Sequence, residues 1–562
     1  MPKIVIVGGV AGGMSAAARA RRLDESADII VLERGPHVSF ANCGLPYFVG
    51  GEIVDSAELL VQTPESLHAA LALDVRPGHD VIAVDTAAKN VTVQTANGLE
   101  VIDYDALVLA PGAAAVIPEI PGITSPRVRT LRTVDDALAL RQTITGGARR
   151  AVVLGAGFIG VEAAEALAAS ALEVSIVQSS AHPLSPFEPE LAWLVSQELR
   201  AIGIDLHVGT AATAIKPGAE HDIVTLTDGS RLPADMIVLS VGVRPDTAVF
   251  ERAGIACERG AIVVDDHGRT SVPGVWAVGD ATLSVDPITG ARHPVALAGP
   301  ANRAGRLVAD DILRPATARA VPPALGTAIV RVGALTAALT GANRAALRAS
   351  GMPHTTLHLH ANQHAGYFPG ASQIHLVVHI HPDSGRLLGA QAVGLEGVDK
   401  RIDVLATAIR AGIRVDELID LDLAYSPPYG QAKDAVNLTG MVGENVLNGT
   451  LSLWYAEDLD DVMATSLVLD VRRDDEWVMG HLPGALHIPH TELRERIDEV
   501  RERAAGRPVR VMCASGVRSA IAHRVVAQAG MDSASLSGGI LTLQASLGAR
   551  SRDVLAVDNV AR

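Results

Sequence analysis

The sequence predicts an α/β protein: two Rossmann-like nucleotide-binding domains, an α+β domain, and a smaller C-terminal α/β domain. Three observations carry this. A strand–glycine turn–helix unit opens the chain, a second copy starts near residue 150, and the texture changes near Leu325 and again after Leu453. The 562 residues exceed what one core can serve, since cores stop growing near ~250–300 residues. Apolar residues at 48% and charged residues at 20% argue against disorder. Aromatics are only 3%, so helices and sheets must pack through Ala and Gly. With 47 basic against 63 acidic residues, the net charge of −16 makes nucleic acid and anionic membranes unexpected partners. No apolar run approaches the ~20 residues that cross a bilayer. MPKIVIVGG enters an apolar strand at once, so a cytoplasmic protein without a signal peptide is expected.

The first unit runs from the strand Lys3 to Val7 through Gly8-Gly9-Val10-Ala11-Gly12-Gly13 into an Ala-rich helix. A second strand follows and ends at Glu33 and Arg34. Such a turn aims backbone N–H groups and a helix N-terminus at a pyrophosphate, and the acid about twenty residues on accepts hydrogen bonds from a ribose. Val10 stands at the second glycine position of the fingerprint. The second unit, AVVLGAGFIGVEAAEAL from Ala151, has the full set Gly155, Gly157 and Gly160, with Ile159 and Glu162 on its helix. Its second strand ends in Gln178, neither an acid that holds NADH nor an arginine that selects NADPH, so both nicotinamides remain open. Two nucleotide folds suit FAD plus NADH or NADPH. Between and after them, a strand reaches a tight turn at Gly112, and TSVPGVWAVGD delivers Gly279 and Asp280 at a strand end.

Three cysteines, Cys43, Cys257 and Cys513, lie too far apart in sequence for a CxxC pair, so neither a thiolate zinc site nor a disulfide framework is expected. Cys257 sits on an ordinary turn-to-strand segment. His375, His379 and His381 share one face of what reads as a half-buried strand, and no metal site is expected there.

Residues 1 to 450 resemble the flavin-dependent pyridine nucleotide–disulfide oxidoreductases, on the two glycine turns, VWAVGDA and the order of parts. Ser39-Phe40-Ala41-Asn42-Cys43-Gly44-Leu45-Pro46-Tyr47 is similar to the single-cysteine branch, which holds coenzyme A-disulfide reductases, persulfide reductases and NADH oxidases. AGYFPG around Tyr367, Tyr425-Ser-Pro-Pro-Tyr429 and Lys433-Asp434 resemble the coenzyme A-disulfide reductase subset. From about residue 455, DVR, GHLPGALHIP and Cys513-Ala-Ser-Gly-Val-Arg518-Ser519 resemble a rhodanese domain. The whole resembles the coenzyme A-disulfide reductase–rhodanese fusions of the NADH-dependent persulfide reductase type. The expected domains are FAD-binding over 1–115 and 245–324, NAD(P)H-binding over 116–244, dimerisation over 325–450 and rhodanese over 455–562.

The resemblance implies cofactor contacts at Gly8, Gly9, Ala11, Gly12, Gly13, Glu33, Arg34, Asn42, Gly112, Gly242, Gly279, Asp280 and Ala298 for FAD. For the nicotinamide it implies Gly155, Gly157, Ile159, Gly160, Glu162 and Gln178. Cys43 is the implied redox centre. With Val38 and Phe48 where a partner thiol would stand, it must cycle through a mixed disulfide, a persulfide or a sulfenic acid. A helix N-terminus nearby is expected to lower its pKa. Tyr367 and Tyr425 from a second subunit would assist as proton donors, which implies a homodimer. Coenzyme A is a candidate ligand at Ser15, Arg19, Arg22, Ser39, Asn42 and Lys433, although HAALALDV after TPES lacks an expected basic residue. Cys513, with an amide cradle at Gly516 and the charge of Arg518, would stabilise a persulfide anion. Oxygen-reducing relatives carry a histidine in the first glycine turn; Val10-Ala11 stands there, favouring small thiol, disulfide or persulfide substrates. The readings left open are a NADH oxidase acting through a Cys43 sulfenic acid, and a rhodanese-type sulfurtransferase or sulfur carrier whose flavin part only senses redox state.

Overall fold

The computed structural model describes residues 1–557; the last five residues of the expected 455–562 segment lie outside the described residues. No helix among the described residues is long and apolar enough to cross a membrane. The chain forms two compact units, one of Met1–Pro183 with Arg200–Gly326, the other of Leu184–Leu199 with the residues from 327 onward.

In the first unit, two parallel sheets reflect the two glycine turns. The first sheet has the order Val275–Ala277, Ala106–Leu109, Lys3–Val7, Asp28–Glu33, Asp74–Pro77. Its strands read as unbroken apolar runs because both faces are covered. Gly8 takes φ +103°, and a Cβ there would lie 2.0 Å from the Ala110 carbonyl oxygen. Beyond it α1 (Ala11–Leu23) begins; a Cβ on Gly13 would sit 1.9 Å from the Gly8 oxygen, so only glycine lets the helix close on the turn. The second sheet, ordered Asp205–Val208, Glu173–Gln178, Arg150–Leu154, Met236–Leu239, Val128–Arg129, repeats the arrangement. Its turn feeds α2 (Phe158–Ala169), with Gly155 at φ +101°. The chain returns to the first sheet at Val275–Ala277 and ends the unit in α3 (Ala298–Leu313). There α3 lies along α1: a Cβ on Gly305 would fall 2.1 Å from the Gly12 oxygen.

In the second unit, an antiparallel sheet has the order Ala328–Val332, Leu335–Gly341, Leu387–Gly394, Gln373–Ile380, Thr355–Asn362. Its core with α4 (Val398–Ala411) and α5 (Ala435–Leu447) includes Leu357, Leu376, Val378, Ile402, Leu405 and Val436. A parallel sheet follows, ordered Leu453–Trp454, Ser533–Leu536, Val509–Met512, Leu467–Asp470, Leu486–His487, flanked by α6 (Val517–Gln528) and α7 (Gly539–Leu547).

Two expectations change here. Residues 184–199 were expected inside the 116–244 domain, yet they pack within the second unit. They do so through buried carboxylates: Arg344 Nη2 donates to Glu190 Oε1 at 2.5 Å, His358 Nε2 lies 2.9 Å from the same oxygen, and His379 Nε2 lies 3.0 Å from Glu188 Oε1. The histidine strand is therefore not half-buried. His379 is fully buried, because residues 184–199 cover the face that alternation assigned to solvent. Cys257 lies on a two-residue strand beside the core, as an ordinary packing residue.

Burial alone would lift both carboxyls, but the imidazole contacts and Arg344 outweigh it, keeping Glu188 low and Glu190 down to about 2. A depressed folded-state value means stability that is full above a glutamate's ordinary value near 4.5 and drains as pH falls toward 2. Arg344→Met strands two buried anions and should cost about 3–5 kcal/mol. Thermal melts should show that loss at neutral pH, and also a flatter acid limb between pH 4.5 and 2 than wild type shows. A loss under about 1 kcal/mol would contradict this account of the network.

Candidate active site

Cys43 stands on a short turn tied to the first glycine loop. Ser39, at φ +48°, donates its N–H to the Gly9 carbonyl at 2.8 Å, and its own carbonyl accepts from Val61 at 3.1 Å. The chain then makes one 3₁₀ turn, Asn42–Gly44, and enters the five-residue helix Leu45–Val49. The thiol is exposed. Asn42 donates to the Arg132 carbonyl at 3.3 Å, and the Arg132 guanidinium lies 4.0 Å from Asp280. On the other side Tyr47 donates to Glu162 at 3.4 Å.

This setting corrects the expectation of a lowered thiol pKa. Partial desolvation pushes the Cys43 thiol up, Glu162 and Asp280 push it further, and Arg132 alone among the neighbouring side chains pulls it down. A helix of only five residues does not outweigh two carboxylates. Arg132 was not foreseen, since nothing in its local sequence links it to a thiol ninety residues earlier.

The candidate cofactor residues fit a flavin dinucleotide. Glu33 accepts from the Gly9 and Gly35 N–H groups, both at 2.8 Å, and keeps lone pairs for ribose hydroxyls. Gly112, Gly242 and Gly279 all take positive φ at strand ends. Asp280 is half-buried, its carboxyl raised by desolvation against the pull of Arg132 and of its own backbone N–H. It stands just past the strand Val275–Ala277, where a bound nucleotide would meet it. Arg34 instead donates to Asp246 at 2.6 Å, so its charge is engaged. Ala11 and Ala298 face the groove described below, Ala298 at the first position of α3. In the second fold Gln178 accepts from the Ala156 N–H at 2.7 Å and donates to Ser180 at 2.6 Å. Its amide thus ties strand to turn as Glu33 does in the first fold. Gly157 precedes α2, and Ile159, Gly160 and Glu162 lie on it; a Cβ on Gly160 would lie 2.0 Å from the Gly155 oxygen.

From Cys43 a groove of about 850 Å³ runs between α1 and α3. Ser39 and Asn42 line it near the thiol, with Ser15, Arg19 and Arg22 from α1 and Asn302, Arg303 and Arg306 from α3. Ser15 donates to Asn302 at 2.6 Å and Arg19 pairs with Asp310 at 2.6 Å. Arg22, Arg303 and Arg306 have no carboxylate partner among the described residues, which leaves three cations for an anionic ligand. Sequence reasoning missed Arg303 and Arg306, although their i, i+3 spacing on a Gly-bearing helix was a usable signal.

The other expected site residues lie in the second unit. The Tyr367 and Tyr425 hydroxyls are 3.2 Å apart and both side chains are exposed, with Lys433 exposed on the following loop. Cys513 ends the strand Val509–Met512, fully buried. The Gly516 N–H donates to its sulfur at 3.2 Å, and the thiol lies 3.4 Å from Ser519 Oγ. Gly516 takes φ +94° to start α6. Arg518, within electrostatic reach of Cys513, also makes a bidentate pair with Glu476, both contacts 2.6 Å, and that hydrogen bonding holds the Glu476 carboxyl down to about 2. Its charge is satisfied by a carboxylate, so an amide and a serine address the sulfur directly.

Parallel nucleotide folds with a lone thiol in one unit, and an antiparallel sheet and a cysteine-bearing parallel one in the other, define a flavin-type redox class. Residues 2–303 match the pyridine nucleotide-disulphide oxidoreductase family, 327–436 its dimerisation domain and 453–546 a rhodanese-like domain. A coenzyme A disulfide reductase of Staphylococcus haemolyticus (strain JCSC1435) is 34% identical over 445 residues, covering 78% of this chain and 99% of that protein. The reduced Bacillus anthracis CoADR-RHD crystal structure is similar with a TM-score of 0.95 and 37% identity over 99% of both chains. A NAD-dependent persulfide reductase from A. fulgidus is similar with a TM-score of 0.89 and 34% identity, over 96% of this chain and 99% of that one. The chain belongs to the pyridine nucleotide-disulphide oxidoreductase family. Its resident cofactor is FAD and its reductant NADH or NADPH.

The electrostatics around Cys43 give a signed expectation. Alkylation of the holoenzyme thiol by iodoacetamide, followed against pH, should shift to higher pH in Arg132→Gln and to lower pH in Glu162→Gln. Equal profiles in both variants would contradict the charge arrangement.

Proposed function

We propose that the chain reduces coenzyme A disulfide, coenzyme A persulfide or polysulfide with NAD(P)H through Cys43, and that Cys513 handles sulfane sulfur. The observation that carries this is the groove that ends at the Cys43 thiol and offers Arg22, Arg303 and Arg306 without carboxylate partners. A nucleotide-tailed thiol brings phosphates for those guanidiniums and a sulfur for the far end. The relatives named for coenzyme A disulfide and persulfide reduction support the same reading.

FAD, when bound, supplies the two-electron link from NAD(P)H to sulfur. This chain's residues do the rest. The Cys43 thiolate attacks one sulfur of the disulfide RSSR, the S–S bond breaks, a Cys43–S–S–R bond forms and RS⁻ leaves. A phenol of the Tyr367–Tyr425 pair from a partner subunit gives the proton. Two electrons then return Cys43 to thiolate and release the second thiol, so RSSR + NAD(P)H + H⁺ becomes 2 RSH + NAD(P)⁺. With a persulfide, RSSH + NAD(P)H + H⁺ becomes RSH + H₂S + NAD(P)⁺. Val38 and Phe48 leave Cys43 without a resolving thiol, which directs its chemistry to a small substrate.

We propose the residues named above for both glycine turns as cofactor ligands, and the domain limits 1–115 with 245–324, 116–244 apart from the segment 184–199, 325–450 and 455 onward. A homodimer is proposed as well: the dimerisation-domain match and the outward Tyr367 and Tyr429, 77% and 74% exposed, support it. A reducing, cytoplasmic setting fits three unpaired thiols.

Anaerobic stopped-flow with NADH and NADPH tests the reading. Rapid flavin reduction, then reoxidation by coenzyme A disulfide or persulfide, is expected; fast turnover with oxygen alone points to the oxidase, and no flavin reduction to the sulfurtransferase. Arg303→Gln and Arg306→Gln should each raise KM for coenzyme A disulfide about tenfold or more, and leave a small uncharged disulfide unaffected. Cys513→Ser should lower turnover with sulfane-sulfur donors while sparing coenzyme A disulfide. Full activity of that variant with every donor would end the role given to Cys513.

A further inference from the structure

A buried ion pair in the second unit lies behind both tyrosine loops. We infer that Arg401 and Asp434 are positioning residues that clamp those loops and hold Tyr367 and Tyr425 as one hydrogen-bonded pair; this rests on the proposed role of the tyrosines. Arg401, on α4, is 1% exposed and Asp434 is 2% exposed. Replacing such a pair with apolar residues is often no worse for stability, so its presence is better explained by geometry than by strength.

The geometry connects three segments. Arg401 Nη2 donates to Asp434 Oδ2 at 2.6 Å and to the Gln363 carbonyl at 2.7 Å, and Nε donates to Asp434 Oδ1 at 3.2 Å. Gln363 closes the Tyr367 loop on itself: its Oε1 accepts from the Ser372 N–H at 2.6 Å and its Nε2 donates to the Gly370 carbonyl at 3.1 Å. Asp434 ends the other loop and caps α5 by accepting from the Val436 N–H at 3.1 Å. Lys400 lies 3.8 Å from Asp434 and donates to the Ala424 carbonyl, next to Tyr425. Gln431 donates to the Asn362 carbonyl at 2.5 Å, crossing directly between the loops. One guanidinium thus spans the base of both loops, and the two phenols meet at their exposed tips, 3.2 Å apart.

Gly397 makes room for the clamp. It takes φ +70°, accepts from Arg401 Nη1 at 3.2 Å, and a Cβ there would lie 2.3 Å from that same nitrogen. A lysine at 401 keeps a charge for Asp434, but a single ammonium lacks the planar fork that holds the carboxylate and the Gln363 carbonyl at once. Arg401→Lys therefore separates positioning from charge burial.

The holoenzyme tests this. In Arg401→Lys, kcat for coenzyme A disulfide should fall about tenfold with KM within twofold and an unchanged melting temperature. Amide exchange should speed up in residues 363–372 and 425–433. Gly397→Ala, which keeps every charge, should reproduce both effects. Tyr367→Phe should lower kcat similarly, and the Arg401→Lys/Tyr367→Phe double variant should fall no further. Wild-type kcat in Arg401→Lys, losses that multiply in the double variant, or unchanged exchange in both loops would overturn the clamp. Faster exchange together with a silent Tyr367→Phe would instead overturn the tyrosine role, and with it this inference.

Discussion

Two glycines, Gly12 and Gly305, let α1 and α3 meet backbone to backbone, and the candidate site depends on that contact. With any side chain at Gly305 the helices would have to move apart, because its Cβ would fall 2.1 Å from a carbonyl oxygen. Gly8 and Gly13 hold the same N-terminal turn of α1 against the strand ends in the same way. The result is that Arg19 and Arg22 on one helix and Arg303 and Arg306 on the other line the same groove as Cys43. Dinucleotide turn, substrate groove and reactive sulfur thus share one packing solution.

The second constraint is chemical. A lone thiol surrounded by Glu162 and Asp280 is harder to ionise, and Arg132 opposes them at close quarters. Such a balance is sensitive to any charge that enters or leaves the cleft, which suits a sulfur that must act as nucleophile only when its substrate is in place. Cys513 shows the opposite design. It is wholly buried, addressed by the Gly516 amide, and its neighbouring arginine is satisfied by Glu476.

Local features could be read from the chain and long-range pairings could not. Both glycine turns were visible because each is written in consecutive residues whose φ values and close approaches demand glycine. The groove's second wall was not visible, since Arg303 and Arg306 meet α1 only through a contact almost three hundred residues away. Residues 184–199 carry an amphipathic helix, and amphipathicity does not say which core a helix serves; Glu188 and Glu190 found theirs against Arg344, His358 and His379. The same docking buried His379 on a strand whose alternation had assigned that face to solvent. That Arg518 also pairs with Glu476 was not visible, because a carboxylate forty-two residues upstream gives no local sign of its partner. The tyrosines were recognised by resemblance, whereas the Arg401–Asp434 pair behind them is plain only in three dimensions.

The most direct test of the account is the covalent state of Cys43. The oxidised holoenzyme would be treated with coenzyme A disulfide in the absence of reductant, quenched with acid, digested and weighed by mass spectrometry, with a parallel sample then given NADH. The account predicts one coenzyme A joined to the Cys43 peptide by a disulfide, lost on adding NADH with release of free thiol. An unmodified Cys43 peptide, or a modification that NADH leaves in place, would contradict it.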